Sequence, residues 1–131
     1  MGELPIKAFS IRQPWAWAII HAGKDIENRD WPTRFRGEVC IHAAKKWGVE
    51  ERMDIDCIHR ASGIRFPIGA PLLGGIVGVA EIADCVEASE SPWFMGRYGF
   101  VLRNVRPVDF IPVRGALSFF DWRANLNGAP S

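Results

Sequence analysis

The chain has 131 residues, 48% of them hydrophobic and 24% charged, which suits one folded domain over residues 1–131 and excludes a largely disordered chain. Its 16 basic and 15 acidic side chains leave a formal net charge of +1, so bulk charge gives no reason to expect a polyanionic partner. No apolar run is long enough to cross a bilayer and the N-terminus lacks the blocks of a signal peptide, so a soluble, cytoplasmic protein without membrane contact is expected.

Leu4 to Ile11 is short, partly apolar and ends before a Gln-Pro step, as a first strand leading into a turn would. Pro14 suits a helix start, because its fixed φ is helical and its missing N–H would be unpaired there. Trp15, Ala18, Ile19 and Ala22 then share the buried face of that helix, and Gly23 supplies the left-handed residue that stops it. Lys24 to Trp31 is predicted as a strand with Glu27, Arg29 and Trp31 on one face and Ile26 on the other. Lys24 has the wrong parity to join them unless the turn after Gly23 or a bulge brings it round. Glu38 to Ala44 is predicted as the hairpin partner of that strand, with Val39, Ile41 and Ala43 inward and Glu38, Cys40 and His42 on the opposite face.

Lys45 to Arg60 carries Val49, Met53 and Cys57 at helical spacing among charged residues, which predicts a surface helix. The Gly- and Pro-rich stretch from Ser62 to Gly75 is a connector or rim. Ile76 to Ala83 has the continuous apolar character of a central strand, and Tyr98 to Arg103 and Val108 to Val113 supply two more. Short strands with two helices and non-adjacent pairing indicate an α+β domain built on a small curved sheet or barrel. The three cysteines are scattered, as are the three histidines. Reduced core thiols are expected, with neither a metal site nor a cofactor.

Charge is uneven along the chain. Arg29, Arg34, Arg36, Lys45 and Lys46 face only Asp30 and Glu38 in their stretch, while Glu81, Asp84, Glu87 and Glu90 gather later, so one basic and one acidic surface are expected. Lys24, Glu27 and Arg29 are costly to bury without partners or a ligand. Two readings remain open at this point. One is a strand-edge ion network that blocks association. The other is a polar pocket in which Arg29 holds a phosphate or carbonyl, Glu27 accepts protons from a base edge, and Lys24 supplies positive charge or acts as a base. Free N–H groups at the helix start attract anions beside Ser10, Arg12 and Gln13. Of the flanking indoles, Trp31 is the expected base-stacking platform, since Trp15 falls on the core face of its helix. A different function, protein contact through an exposed Trp93, Phe94 and Met95, carries the least weight.

Phe9-Ser10-Ile11-Arg12-Gln13-Pro14-Trp15-Ala16, Gly23-Lys24-Asp25-Ile26-Glu27-Asn28-Arg29, Trp31, Arg36-Gly37 and Tyr98-Gly99-Phe100-Val101-Leu102 together resemble the ASCH domain family. The Lys-x-x-Glu-x-Arg core of its signature is reproduced by Lys24, Glu27 and Arg29, with Gly23 directly before the lysine rather than one residue earlier. The resemblance implies a PUA-like fold, a β-barrel with helices at its ends, and a pocket between the first helix and the barrel for RNA or nucleobases. The implied partners are RNA or DNA, or a nucleoside-type small molecule, with Ser10, Arg12, Gln13, Lys24, Glu27, Arg29 and Trp31 lining the pocket and Arg34, Arg36, Lys45 and Lys46 on the phosphate backbone. It also implies an alternative. One branch is similar to N4-acetylcytidine amidohydrolases and a ribonuclease activity is known in the family, which would make Lys24 and Glu27 catalytic. The amidohydrolase threonine nucleophile falls where Glu27 stands, so covalent catalysis by threonine is excluded here. Glu87 or Glu90 would have to supply that branch's later carboxylate.

Overall fold

The computed structural model describes residues 3–67 and 69–126. Strand β1 (Lys7–Ile11) leads into helix α1 (Trp15–His21), strand β2 (Ile26–Arg29) and strand β3 (Gly37–Ala43). Helix α2 (Val49–Ser62) follows, then the long strands β4 (Gly75–Val86) and β5 (Tyr98–Pro112), the short β6 (Phe119–Asp121) and a 3-10 turn (Trp122–Asn125). The strands form one sheet in the order β2-β5-β4-β3-β1-β6. Only β1 and β3 run parallel; the other pairs are antiparallel. The result is an α+β half-barrel with two helices, consistent with the PUA-like barrel anticipated above.

Both faces of the curled sheet are buried near its middle. Phe9, Ile11, Val39, Ile41, Phe100 and Leu102 pack with Ala16 and Ile19 of α1, while Ala8, Cys40, Ile76, Val79, Val113 and Trp122 form a cluster of their own. That double burial corrects the expectation for β3. Cys40 and His42 were to face away from the core, yet both are buried, because β3 lies between β1 and β4 under two apolar layers. Helix α1 settles closely on β4 at Gly78, where a side chain would collide with Ile20 and lie 2.8 Å from the Arg106 carbonyl.

Two further expectations are corrected, and the expected surface helix turns inward a face other than its apolar spacing suggests. β2 does not form a hairpin with β3; it pairs with β5, Glu27 opposite Phe100 and Asn28 opposite Gly99, which leaves β2 at the sheet edge. The two strands expected over 98–113 are one, because bulges in the pairing with β4 absorb the break and Pro107, which has no N–H to donate, meets Gly78 at such an irregularity. Helix α2 packs through Glu51 and Ile58, leaving Val49 and Met53 exposed. Its apolar spacing misled because a carboxylate occupies the inward position. β6 and the 3-10 turn had no counterpart among the predicted elements.

All three cysteines are free thiols, and only Cys40 is fully buried. The two charge surfaces are not separate, since Arg36 reaches Asp84 at 3.5 Å and Arg106 reaches Glu38 at 2.9 Å.

His42 ties the sheet together at the end of β1. Its Nε2 lies 2.7 Å from the Val113 carbonyl, which can only accept, so Nε2 carries the proton and Nδ1 accepts from Ser10 Oγ at 2.9 Å. This is the neutral ring. Burial lowers its pKa from the ordinary 6.5, opposed by the bond to Val113. The unfolded chain therefore binds the proton first, and stability falls as pH drops from about 6.5 toward the folded value, by at most about 1.4 kcal/mol per pH unit. Urea unfolding at stepped pH should show this slope in the wild type and its loss in His42→Gln.

Candidate functional site

The turn at the end of α1 places Lys24. Gly23 sits at φ +75°, and the Lys24 N–H returns to the Ala18 carbonyl at 3.1 Å, so the chain folds back under the helix before β2 begins. The parity problem disappears, because Lys24 precedes the strand. Its Nζ lies 3.7 Å from Glu27 Oε1 and donates to the Ile26 carbonyl. It is also 5.5 Å from the centre of the Trp15 ring and 5.9 Å from that of Trp93. Burial between these rings lowers the Lys24 pKa, and Glu27 opposes the shift.

Glu27 and Arg29 are same-face neighbours on β2, as their alternation requires. Arg29 Nη2 donates to the Ser10 carbonyl at 2.8 Å, and the guanidinium lies 5.2 Å from the centre of the Phe9 ring. Its Nε is 3.3 Å from Glu27 Oε2 but out of line for a hydrogen bond, which leaves it a buried donor with an ionic neighbour and no hydrogen-bonded partner among the described residues. Such a group is costly to bury unless something else accepts from it.

These three side chains open on one cavity of about 270 Å³, walled by Ser10, Ile11, Arg12, Trp15, Lys24, Glu27, Asn28, Arg29 and Met95. It therefore lies between the start of α1 and the edge strand, and offers cations, a carboxylate and an indole together. The network is not sealed. A sealed strand-edge ion cluster would have no adjoining hollow.

Helix α2 holds the opposite wall. Arg12 Nη1 meets Glu51 at 2.6 Å, and the Trp15 indole N–H donates to Asp54 Oδ2 at 2.9 Å. Glu51 also accepts from the Gly48 N–H at 2.8 Å, closing the first turn of α2. That bond first and the Arg12 contact next hold its pKa below the usual carboxylate value against the cost of burial. Asp54→Ala is expected to lower stability by about 1 kcal/mol while Asp54→Asn, which keeps an acceptor, retains most of it. Equilibrium urea unfolding of the two variants checks this.

Not every predicted site residue converges. Trp31 packs edge-on against Phe100 and Phe119, at 5.3 and 5.8 Å between ring centres, and lies outside the cavity lining. Trp15, assigned to the core face of its helix, packs against two core clusters and, half-buried, also forms the aromatic wall. Gln13 is buried on the other side of the turn, where its amide donates to the Leu72 carbonyl and accepts the Trp17 N–H. Arg34, Arg36, Lys45 and Lys46 are exposed and do not line the cavity. Arg36 is engaged by Asp84, and Lys46 lies 3.9 Å from both Glu50 and Glu51.

Three wall residues, Ile11, Asn28 and Met95, escaped the sequence reading. Asn28 Nδ2 donates to the Trp93 carbonyl, and its Oδ1 accepts from the Met95 and Gly96 N–H groups, so it fastens the segment that presents Met95. The Glu-Asn-Arg order was a signal only in hindsight, since the partners lie far along the chain. The expected contact patch is not a contiguous exposed one. Trp93 is buried and Phe94, partly buried, packs against the cluster that includes Trp93, Ala18 and Ile26, while Met95 is exposed.

The chain belongs to the ASCH family, whose domain model matches residues 9–107; these PUA-like domains are generally linked to RNA binding. Among curated proteins it is similar to activating signal cointegrator 1 of Homo sapiens, 31% identical over 85 residues, and to that of Mus musculus, 28% identical over 85 residues. In both cases the match covers 62% of this chain and only 14% of the relative.

Proposed function

We propose that the chain binds RNA by drawing an unpaired base into the cavity between α1 and β2. The convergence of Lys24, Glu27, Arg29 and the half-buried Trp15 ring on one cavity is the observation that carries this reading. Trp15 offers a face for the base, Glu27 accepts from its amino or imino edge, and Arg29 and Arg12 take a carbonyl or phosphate oxygen. The exposed Arg34, Lys45 and Lys46 then meet the backbone, supplying affinity while the cavity supplies selectivity. Fluorescence anisotropy against salt tests the reading. Single-stranded RNA should bind with log K falling by about 0.7 per phosphate contacted for each tenfold rise in salt. No affinity for any RNA or DNA, or an affinity indifferent to salt, would refute it.

A second reading is hydrolysis of a modified nucleoside such as an N4-acylcytidine, or of RNA. It is favoured by the depressed pKa of Lys24, which brings an amine closer to the range useful for a general base, beside a carboxylate that can orient water. Incubation with N4-acetylcytidine and with RNA, with and without divalent metal, separates the two. Turnover abolished by Lys24→Ala supports catalysis; absence of product from every substrate leaves binding alone.

A further inference from the structure

A second hollow, of about 260 Å³, lies on the other side of the turn that forms the first cavity: Arg12 lines one and the adjacent Gln13 lines the other. Its walls are mostly apolar, with the Trp17 indole, the Phe66 ring 5.1 Å away edge-on, three prolines including Pro107, and the aliphatic side chains of Ile20 and Val77. Phe66 continues the row outward, stacked on Trp47 at 5.9 Å and 24° between planes, where a shallower hollow includes Arg52. Gln13 cannot serve as a free recognition group, because its carbonyl and one amide hydrogen are engaged by Trp17 and Leu72. His21, 5.8 Å from the Trp17 ring, is the other polar side chain of the lining, so the hollow favours a planar ring over a fixed hydrogen-bonding pattern. On the crest between the two cavities stands Arg12, whose side chain is 46% exposed although it touches Glu51. Lys46 and Arg52 add positive charge along the row, against Glu50 and Glu51.

We infer that this hollow takes a second unpaired base of the same RNA strand, so that the strand crosses the N-terminal turn of α1 with a base on either side and a phosphate over Arg12. The inference rests on the proposed RNA reading and extends it from one base to a short single-stranded segment. A base stacked on one of these two rings, with the edge of the other against it, is tolerated whatever its identity, since every base has a π-face. The added affinity depends on length, not sequence.

The test is anisotropy or competition binding of a mononucleotide and of single-stranded oligoribonucleotides two, three and eight residues long. Wild-type affinity should rise roughly tenfold or more from mononucleotide to trinucleotide, the gain expected for one stacked base. Phe66→Ala should remove most of that rise and leave mononucleotide affinity within about twofold; Trp17→Ala should do the same. Phe66 is the decisive position, because it belongs to none of the core clusters among the described residues. If Phe66→Ala keeps the full length dependence while Glu27→Gln still weakens the mononucleotide, the second site is wrong and the first stands. Should the wild type bind no RNA of any length, both readings fall. Displacement of a proline-rich peptide but not RNA from the Trp17 hollow would also overturn the inference.

Discussion

Glu27→Gln should lower stability by about 3 kcal/mol at neutral pH, the scale of breaking a buried charge network by removing one partner. The variant leaves Lys24, with a side chain 3% exposed, and Arg29, 23% exposed, without their shared carboxylate. Gln still fills the space, so the loss reports charge rather than volume. The pH dependence distinguishes this cause. In the wild type the Lys24 pKa is already below 10.5, so the unfolded chain holds the proton longer and stability rises with pH between the folded value and 10.5. Without Glu27, which raises that pKa, the window extends further down, and the deficit of the variant should narrow as alkali discharges Lys24. Chemical denaturation of both proteins from neutral pH to about pH 10 measures it. A deficit independent of pH would place the cost elsewhere.

Arg29→Ala is expected to weaken single-stranded RNA binding by roughly 10- to 100-fold, the worth of one charge-assisted hydrogen bond to a desolvated acceptor. The same change frees the Ser10 carbonyl and leaves Glu27 with Lys24 alone. Arg29→Lys should recover little, because an ammonium cannot reach the carbonyl and the cavity in the fixed fork that a guanidinium supplies. Arg34→Ala, by contrast, should reduce affinity evenly for all sequences and lessen the salt slope by about 0.7. Anisotropy at two salt concentrations distinguishes the two behaviours.

Much of the site was legible because its chemistry is local. Gly23, Lys24, Glu27 and Arg29 lie within one turn and one short strand, so parity and a left-handed glycine suffice to bring them together. What escaped depends on distant parts of the chain. Glu51 and Asp54 sit on a helix whose apolar spacing pointed to Val49 and Met53, and only the tertiary contacts with Arg12 and Trp15 explain why the acids turn inward. Trp31 left its expected place, and Trp15 gained a second one, for a related reason. Phe119, on a strand too short to be noticed, captures Trp31, while Asp54 draws the Trp15 ring to the cavity wall. Strand pairing was the least legible feature, since β2 finds β5 rather than its neighbour in sequence. No local pattern encodes which edge a strand joins.

Entry of RNA between α1 and β2 is tested most directly by adding a short single-stranded oligoribonucleotide to isotopically labelled protein and following the protein's amide and indole NMR signals. The largest shifts should fall on Arg12, on Trp15 including its indole N–H, and on residues Lys24 to Arg29. Saturable binding that leaves those signals in place, with shifts confined to the exposed Arg34 and Arg36 edge, would contradict the account.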